Sequence, residues 1–246
     1  QAREAQIEAA LERVRSRTLA MHKSDELAET AAEVFRQLIS LGISPNRLYI
    51  GIDKDKENEM ELWVTDEDGN KVNTEFSGKM NNNITFKKMY DGWKSKKKSL
   101  IIDMQGKELE EYFRYLTEDL KVPFNQGLSQ KRRVQSLAYF TKGFIGIASP
   151  EPQTEDTIIL LERFASVFNL TFTRFNDLKQ AEAQAREAQI EVALERIRSR
   201  TMAMQKSEEL SETAFVLYQQ FLELGESPDQ ITIGIFNEEE KVIEFR

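Results

Sequence analysis

The 246-residue chain contains no cysteine. This excludes a disulfide scaffold, cysteine zinc sites, a thiol nucleophile and any thioether-attached chromophore. A single histidine, His22, argues against a histidine metal cluster and a serine–histidine–aspartate triad. No apolar run approaches the roughly 20 residues that cross a bilayer, and no signal-peptide pattern opens the chain. The 34 Lys and Arg against 42 Asp and Glu give a net charge of −8, which argues against a nucleic-acid footprint for the chain as a whole. A phosphate-cradling loop is missing as well: Gly78-Lys79-Met80 and Gly106-Lys107-Glu108 lack both the earlier glycine and the following Ser or Thr. With no paired-carboxylate site to argue, the expectation is a regulatory chain without catalysis, metal or cofactor. At 40% apolar and 9% aromatic residues it has the material for a core.

What is present is a duplication. QAREAQIEAALERVRSRTLAMHKSDELAET at Gln1 returns as QAREAQIEVALERIRSRTMAMQKSEELSET at Gln184, and 33 of the 52 aligned positions are identical. The offset of 183 residues is domain-sized rather than a solenoid period. One whole unit is followed by the opening of the next. Gln1 lies inside a helical pattern, so the chain reads as a piece of something longer.

The repeated segment is helical. Ile7, Leu11, Val14, Thr18 and Met21 alternate spacings of four and three, and Ile190, Leu194, Ile197, Thr201 and Met204 do the same. Such a narrow seam with charged flanks predicts a two-stranded coiled coil and hence a homodimer. Ser24 and Ser207 are N-cap candidates, and Gly42 and Gly225, each followed two residues later by Ser-Pro, are C-cap glycines. A second long helix is expected from Thr154 toward Leu224, with a seam that includes Phe168 and Phe175 on the same interface. Its Phe164–Leu178 seam and the seam from Ile190 are out of phase, which predicts a joint between them.

Between the helices, segments 47–53, 59–66, 71–76, 99–103, 134–140 and 144–149 read as strands, with a turn at Glu67-Asp68-Gly69-Asn70. Segments 84–97 and 106–120 read as a crossover and an amphipathic helix. A last hairpin, 231–236 with 241–245, has no further sheet to join. The fold class is α+β.

This order of elements resembles a GAF domain. WKSKKKSLIIDMQGKELEEYFRYL (93–116) is similar to the lead-in strand and following helix of that family. The repeated AQAREAQIEVALERIRSRTMAMQKSEEL is similar to linkers of multidomain bacterial sensor histidine kinases. The resemblance implies a six-stranded antiparallel sheet flanked by helices, with long coiled-coil helices at both ends. It also implies a cytoplasmic sensor, a homodimer through parallel helices, that binds a small molecule or acts as a spacer, and a downstream effector. The domains would be a signalling helix (1–23), the GAF-like body (24–178), a linker helix (179–206) and the start of a second body (207–246). The Asn-Lys-Phe-Asp-Glu signature of cyclic-nucleotide-binding members and the cysteine of bilin-binding members have no counterpart here.

Several residues carry candidate chemistry. Trp63, Phe76, Trp93 and Tyr139 are expected around a ligand pocket beside the sheet. Seven lysines between Lys87 and Lys107, interleaved with Tyr90 and Trp93, can rim an anionic ligand, although a solvated edge is the simpler reading. Asp66, Asp68, Gly69 and Glu75 have calcium-loop spacing if Val64 is position one, but valine supplies no oxygen there, so a hairpin turn is expected. His22 is replaced by Gln205 in the second copy and lacks the setting of a phosphoacceptor; it reads as a solvated helix residue.

Overall fold

The computed structural model describes all residues except 45–46, 56–57, 66–71, 123–128, 207–208, 238–240 and 246. The chain divides into two compact units, Gln1–Leu178 and Lys179–Arg246.

The first unit begins with a helical hairpin, α1 (Ala2–Leu19) and α2 (Leu27–Ser40). The chain reverses between them because the Glu26 carboxylate accepts from the amides of His22 (2.9 Å) and Lys23 (3.0 Å), satisfying donors that a continuous helix would have used. Arg17 then reaches Glu29 and Glu26 across the turn. The second helix ends at Gly42, whose φ of +90° is open to glycine at little cost.

Six strands follow: β1 (Arg47–Asp53), β2 (Glu59–Thr65), β3 (Val72–Lys79), β4 (Ser99–Gln105), β5 (Arg132–Phe140) and β6 (Gly143–Ser149). They form one antiparallel sheet in the order β3-β2-β1-β6-β5-β4. Helix α3 (Ile84–Lys94) and helix α4 (Gly106–Arg114) lie between β3 and β5 in sequence. Asn83 caps α3, accepting from the amides of Thr85 and Phe86. This is an α+β architecture, a six-stranded antiparallel sheet flanked by helices.

The sheet separates two cores, and strand alternation assigns residues to each. Leu48, Ile50, Ile145 and Ile147 face α1, α2 and the first part of α5 (Glu155–Ala203). Tyr49, Leu62, Leu137 and Phe144 face α3 and α4. The first core contains Leu11, Val14, Met21 and Phe168, each 2% exposed or less, with Ile7 and Phe175 half-buried at its margin. Here the fold corrects the seam reading for Leu11, Val14, Met21 and Phe168. These four side chains are buried by their own chain, where each is worth about 1.5–3 kcal/mol, and are not displayed to a partner, whereas Ile7 and Phe175 keep part of their surface.

In the second unit, α5 ends at Ala203 instead of running on to Leu224, and α6 (Leu210–Glu223) follows. The break repeats the one after α1, with Arg200 pairing to Glu209 and Glu212 across it. Gly225, at φ +81°, closes α6 as Gly42 closes α2. β7 (Gly234–Asn237) and β8 (Val242–Phe245) form a separate antiparallel pair. No helix among the described residues is long and apolar enough to cross a membrane.

Candidate functional site

A cavity of about 30 Å³ lies between the sheet and the α3–α4 side of the first unit. It has room for about two waters. Its apolar walls come from β2 (Leu62, Val64), β3 (Phe76), α3 (Phe86, Met89) and the residues after α4 (Leu116, Val122). Its polar wall is made of Arg47, Tyr49, Tyr112 and Arg133. The two arginines are 5% and 1% exposed.

Alternation explains the polar wall. On β1, Arg47 and Tyr49 share a face; on β5, Arg133 and Gln135 share the same face. The Tyr49 hydroxyl donates to Gln135 Oε1 at 2.6 Å, and Gln135 Nε2 donates to the Tyr112 oxygen at 3.0 Å. Arg47 donates to the Thr65 carbonyl at 3.2 Å, and Arg133 donates to Gln130 Oε1 at 3.0 Å. Arg133 also lies 5.7 Å from the centre of the Phe113 ring. The Tyr49 ring rests on Gly146, where an added Cβ would come within 2.2 Å of it, so that position admits only glycine without moving the tyrosine.

Burial pushes both phenols up. The Tyr49 hydroxyl stands well above its ordinary value, and Tyr112 is raised by burial against the opposing pull of the Arg133 charge. Both remain protonated donors at neutral pH. A guanidinium matches a carboxylate or phosphate through two parallel hydrogen bonds. The cavity therefore has two guanidinium side chains at one end, beside a phenol whose proton is already given to Gln135, and an apolar body elsewhere, which suits a small anion.

The structure does not gather the aromatics expected around a pocket. Phe76 lines this cavity. Trp63 lies on the opposite sheet face, within the α1–α2–α5 core, its indole N–H donating to Glu61 at 2.5 Å. Trp93 and Tyr139 border an open cleft of about 760 Å³ together with Lys96, Lys97 and Lys98. There the Trp93 indole N–H donates to the Thr141 carbonyl and the Tyr139 hydroxyl to the Met89 carbonyl. Within the lysine run, Lys87, Lys88 and Lys107 pair with Asp91, Glu108 and Glu111, and Lys94 stacks on Tyr90, so much of its charge is locally offset. The 67–70 turn, the acidic and glycine residues of the calcium-like spacing at 66–69, and the Ser207 cap lie outside the described residues; the Glu75 side chain is likewise not described. Among the described residues no group of three or more His, Cys, Asp or Glu is placed to hold a metal ion.

Sequence reasoning missed the arginines. The signal was present: a charged residue in phase with Leu137 and Tyr139 on β5, and another in phase with Tyr49 on β1. In the second unit, Ile190, Ile197 and Met204 are half-buried and Leu194 is exposed.

No family model matches the chain, and no curated protein matches it. Among solved structures, the bacteriophytochrome RpBphP3 from the photosynthetic bacterium R. palustris aligns at 11% identity and a TM-score of 0.48, over 89% of this chain and 45% of that one. The phycoerythrobilin-bound GAF domain from a cyanobacterial phytochrome aligns at 14% identity and a TM-score of 0.38, over 68% of this chain and 96% of that one. The chain thus spans less than half the length of the bacteriophytochrome it is similar to.

Proposed function

We propose that the first unit is a sensory domain for a small anionic ligand, within the regulatory part of a cytoplasmic signal-transduction protein. The linker resemblance points to a sensor histidine kinase as that protein. The observation that carries the reading is the pair of buried arginines, Arg47 and Arg133, on one wall of an apolar cavity beside the Tyr49–Gln135–Tyr112 relay. The chain acts by binding rather than by making or breaking bonds.

Transmission runs through the sheet. Tyr49 faces the cavity, while its neighbours Leu48 and Ile50 pack in the core that holds α1 and α5. A ligand that favours one arrangement of β1 and β5 biases the helices by the same free energy, which is a population shift passed to an effector. A bilin is not the ligand proposed, since the chain has no cysteine to attach one and the cavity is only about 30 Å³.

Thermal-shift titration with the smallest anions, formate, acetate and bicarbonate, tests this. A true ligand raises stability by about 2.7 kcal/mol at a hundredfold excess over Kd. The expected result is a saturable rise for one anion class that Arg133→Met removes. A panel without any binder, or a rise indifferent to Arg133→Met, overturns the reading and leaves a ligand-free spacer.

A further inference from the structure

The hairpin of the second unit repeats several contacts between the two helices of the first. Arg3 donates to the Leu41 carbonyl, and Arg186 to that of Leu224. Arg13 donates to Gln37 at 3.0 Å, and Arg196 to Gln220 at 3.1 Å. The Arg17–Glu29 pair returns as Arg200–Glu212. Residues at this contact are buried in both copies: Thr30 is 0% exposed and Thr213 is 7%, Ala10 is 1% and Ala193 is 5%.

The other face differs. Leu11 and Leu38 are 2% and 0% exposed, whereas their counterparts Leu194 and Phe221 are 39% and 40% exposed. In the first unit that face is closed by residues 163–174 of α5 together with the sheet residues Leu48, Ile50, Ile145 and Ile147. Phe164, Phe168 and Phe172 belong to the core that fills it. Thr171 meets Thr18, Arg174 donates to the Met21 carbonyl, and Arg163 pairs with Glu4 and Glu8. The second unit carries Glu187, Glu191, Thr201 and Met204 at the matching positions, with both glutamates exposed.

We infer that the α5–α6 hairpin is a docking face for one helix with the chemistry of residues 163–174: an arginine at each end and phenylalanines four residues apart between them. Glu187 and Glu191 select the arginine end, and the strip from Leu194 to Phe221 takes the aromatic side. This is recognition of a helix in a groove. The occupant is a separate helical segment of that composition, because the chain's own 163–174 stretch is already buried in the first unit.

The test titrates the 246-residue chain with a labelled peptide of residues 155–178, both linear and lactam-stapled, and reads fluorescence anisotropy. Saturable binding is expected, weakened about tenfold or more by Leu194→Asp in the chain or by Phe168→Asp in the peptide. Joint Glu187→Lys and Glu191→Lys substitution weakens it with a loss of salt dependence. Circular dichroism checks that the variants keep their helices; both sites are exposed. No saturable binding by either peptide, or binding indifferent to these changes, overturns the inference. Self-association of the chain that Leu194→Asp dissolves, seen by sedimentation, also overturns it, since a second copy is then the occupant.

Discussion

Thr18 on α1 and Thr171 on α5 meet with their hydroxyl oxygens 2.5 Å apart, both fully buried. Thr18 also bonds the Val14 carbonyl at 2.9 Å, so it donates there and accepts from Thr171. The contact ties the first helix to the last within one unit and fixes their register. An isolated coiled-coil helix would have no such internal partner.

Replacing Thr18 with valine keeps the shape but leaves the Thr171 hydroxyl buried without its acceptor. The expected loss is about 1–3 kcal/mol. The Thr18→Val, Thr171→Val double variant should recover much of it, because no buried hydroxyl is then stranded. Denaturant unfolding of the two singles and the double provides the cycle; strictly additive losses would contradict the pairing.

Leu11 and Leu194 occupy the same position in the two copies but differ in burial, 2% against 39%. Leu11→Ala should cost about 2–5 kcal/mol in the first unit, whereas Leu194→Ala should cost under about 1 kcal/mol. Thermal unfolding of both variants checks this. Equal losses would mean that the second face is covered as well as the first.

Burial raises the phenols of Tyr49, Tyr112 and Tyr139 above their ordinary value of 10.0. The folded chain therefore holds these protons more tightly than the unfolded chain. Their contribution is fully present below about pH 10 and is lost as pH rises from there through the folded values. Tyrosinate absorbance should thus lag behind that of an unfolded control and rise together with loss of structure. Tyr49→Phe should remove part of this alkaline dependence.

Much of the fold was legible in the sequence because it rests on local rules. Segments 47–53, 99–103 and 144–149 read as strands from β-branched and apolar runs bounded by turn residues, and strands stand at Arg47–Asp53, Ser99–Gln105 and Gly143–Ser149; Gly42 marked the end of α2 through a left-handed backbone that glycine adopts readily. The candidate site was legible only in part. Phe76 could be placed on the cavity face, but Trp63 could not be separated from it, because register decides which sheet face a residue meets and register is a pairing between distant strands.

By itself the sequence determined the duplication, the α+β order of elements, the exclusion of thiol and histidine-cluster chemistry, and an apolar stripe on each repeated helix. Tertiary structure alone decided what covers those stripes. Periodicity states that a helix face must be buried but not by which partner; the first stripe finds Phe164, Phe168 and Phe172 of its own chain, and the second leaves Leu194 and Phe221 open. It also decided the site, since Arg47 and Arg133 are 86 residues apart and share one cavity only because β1 and β5 both pair with β6.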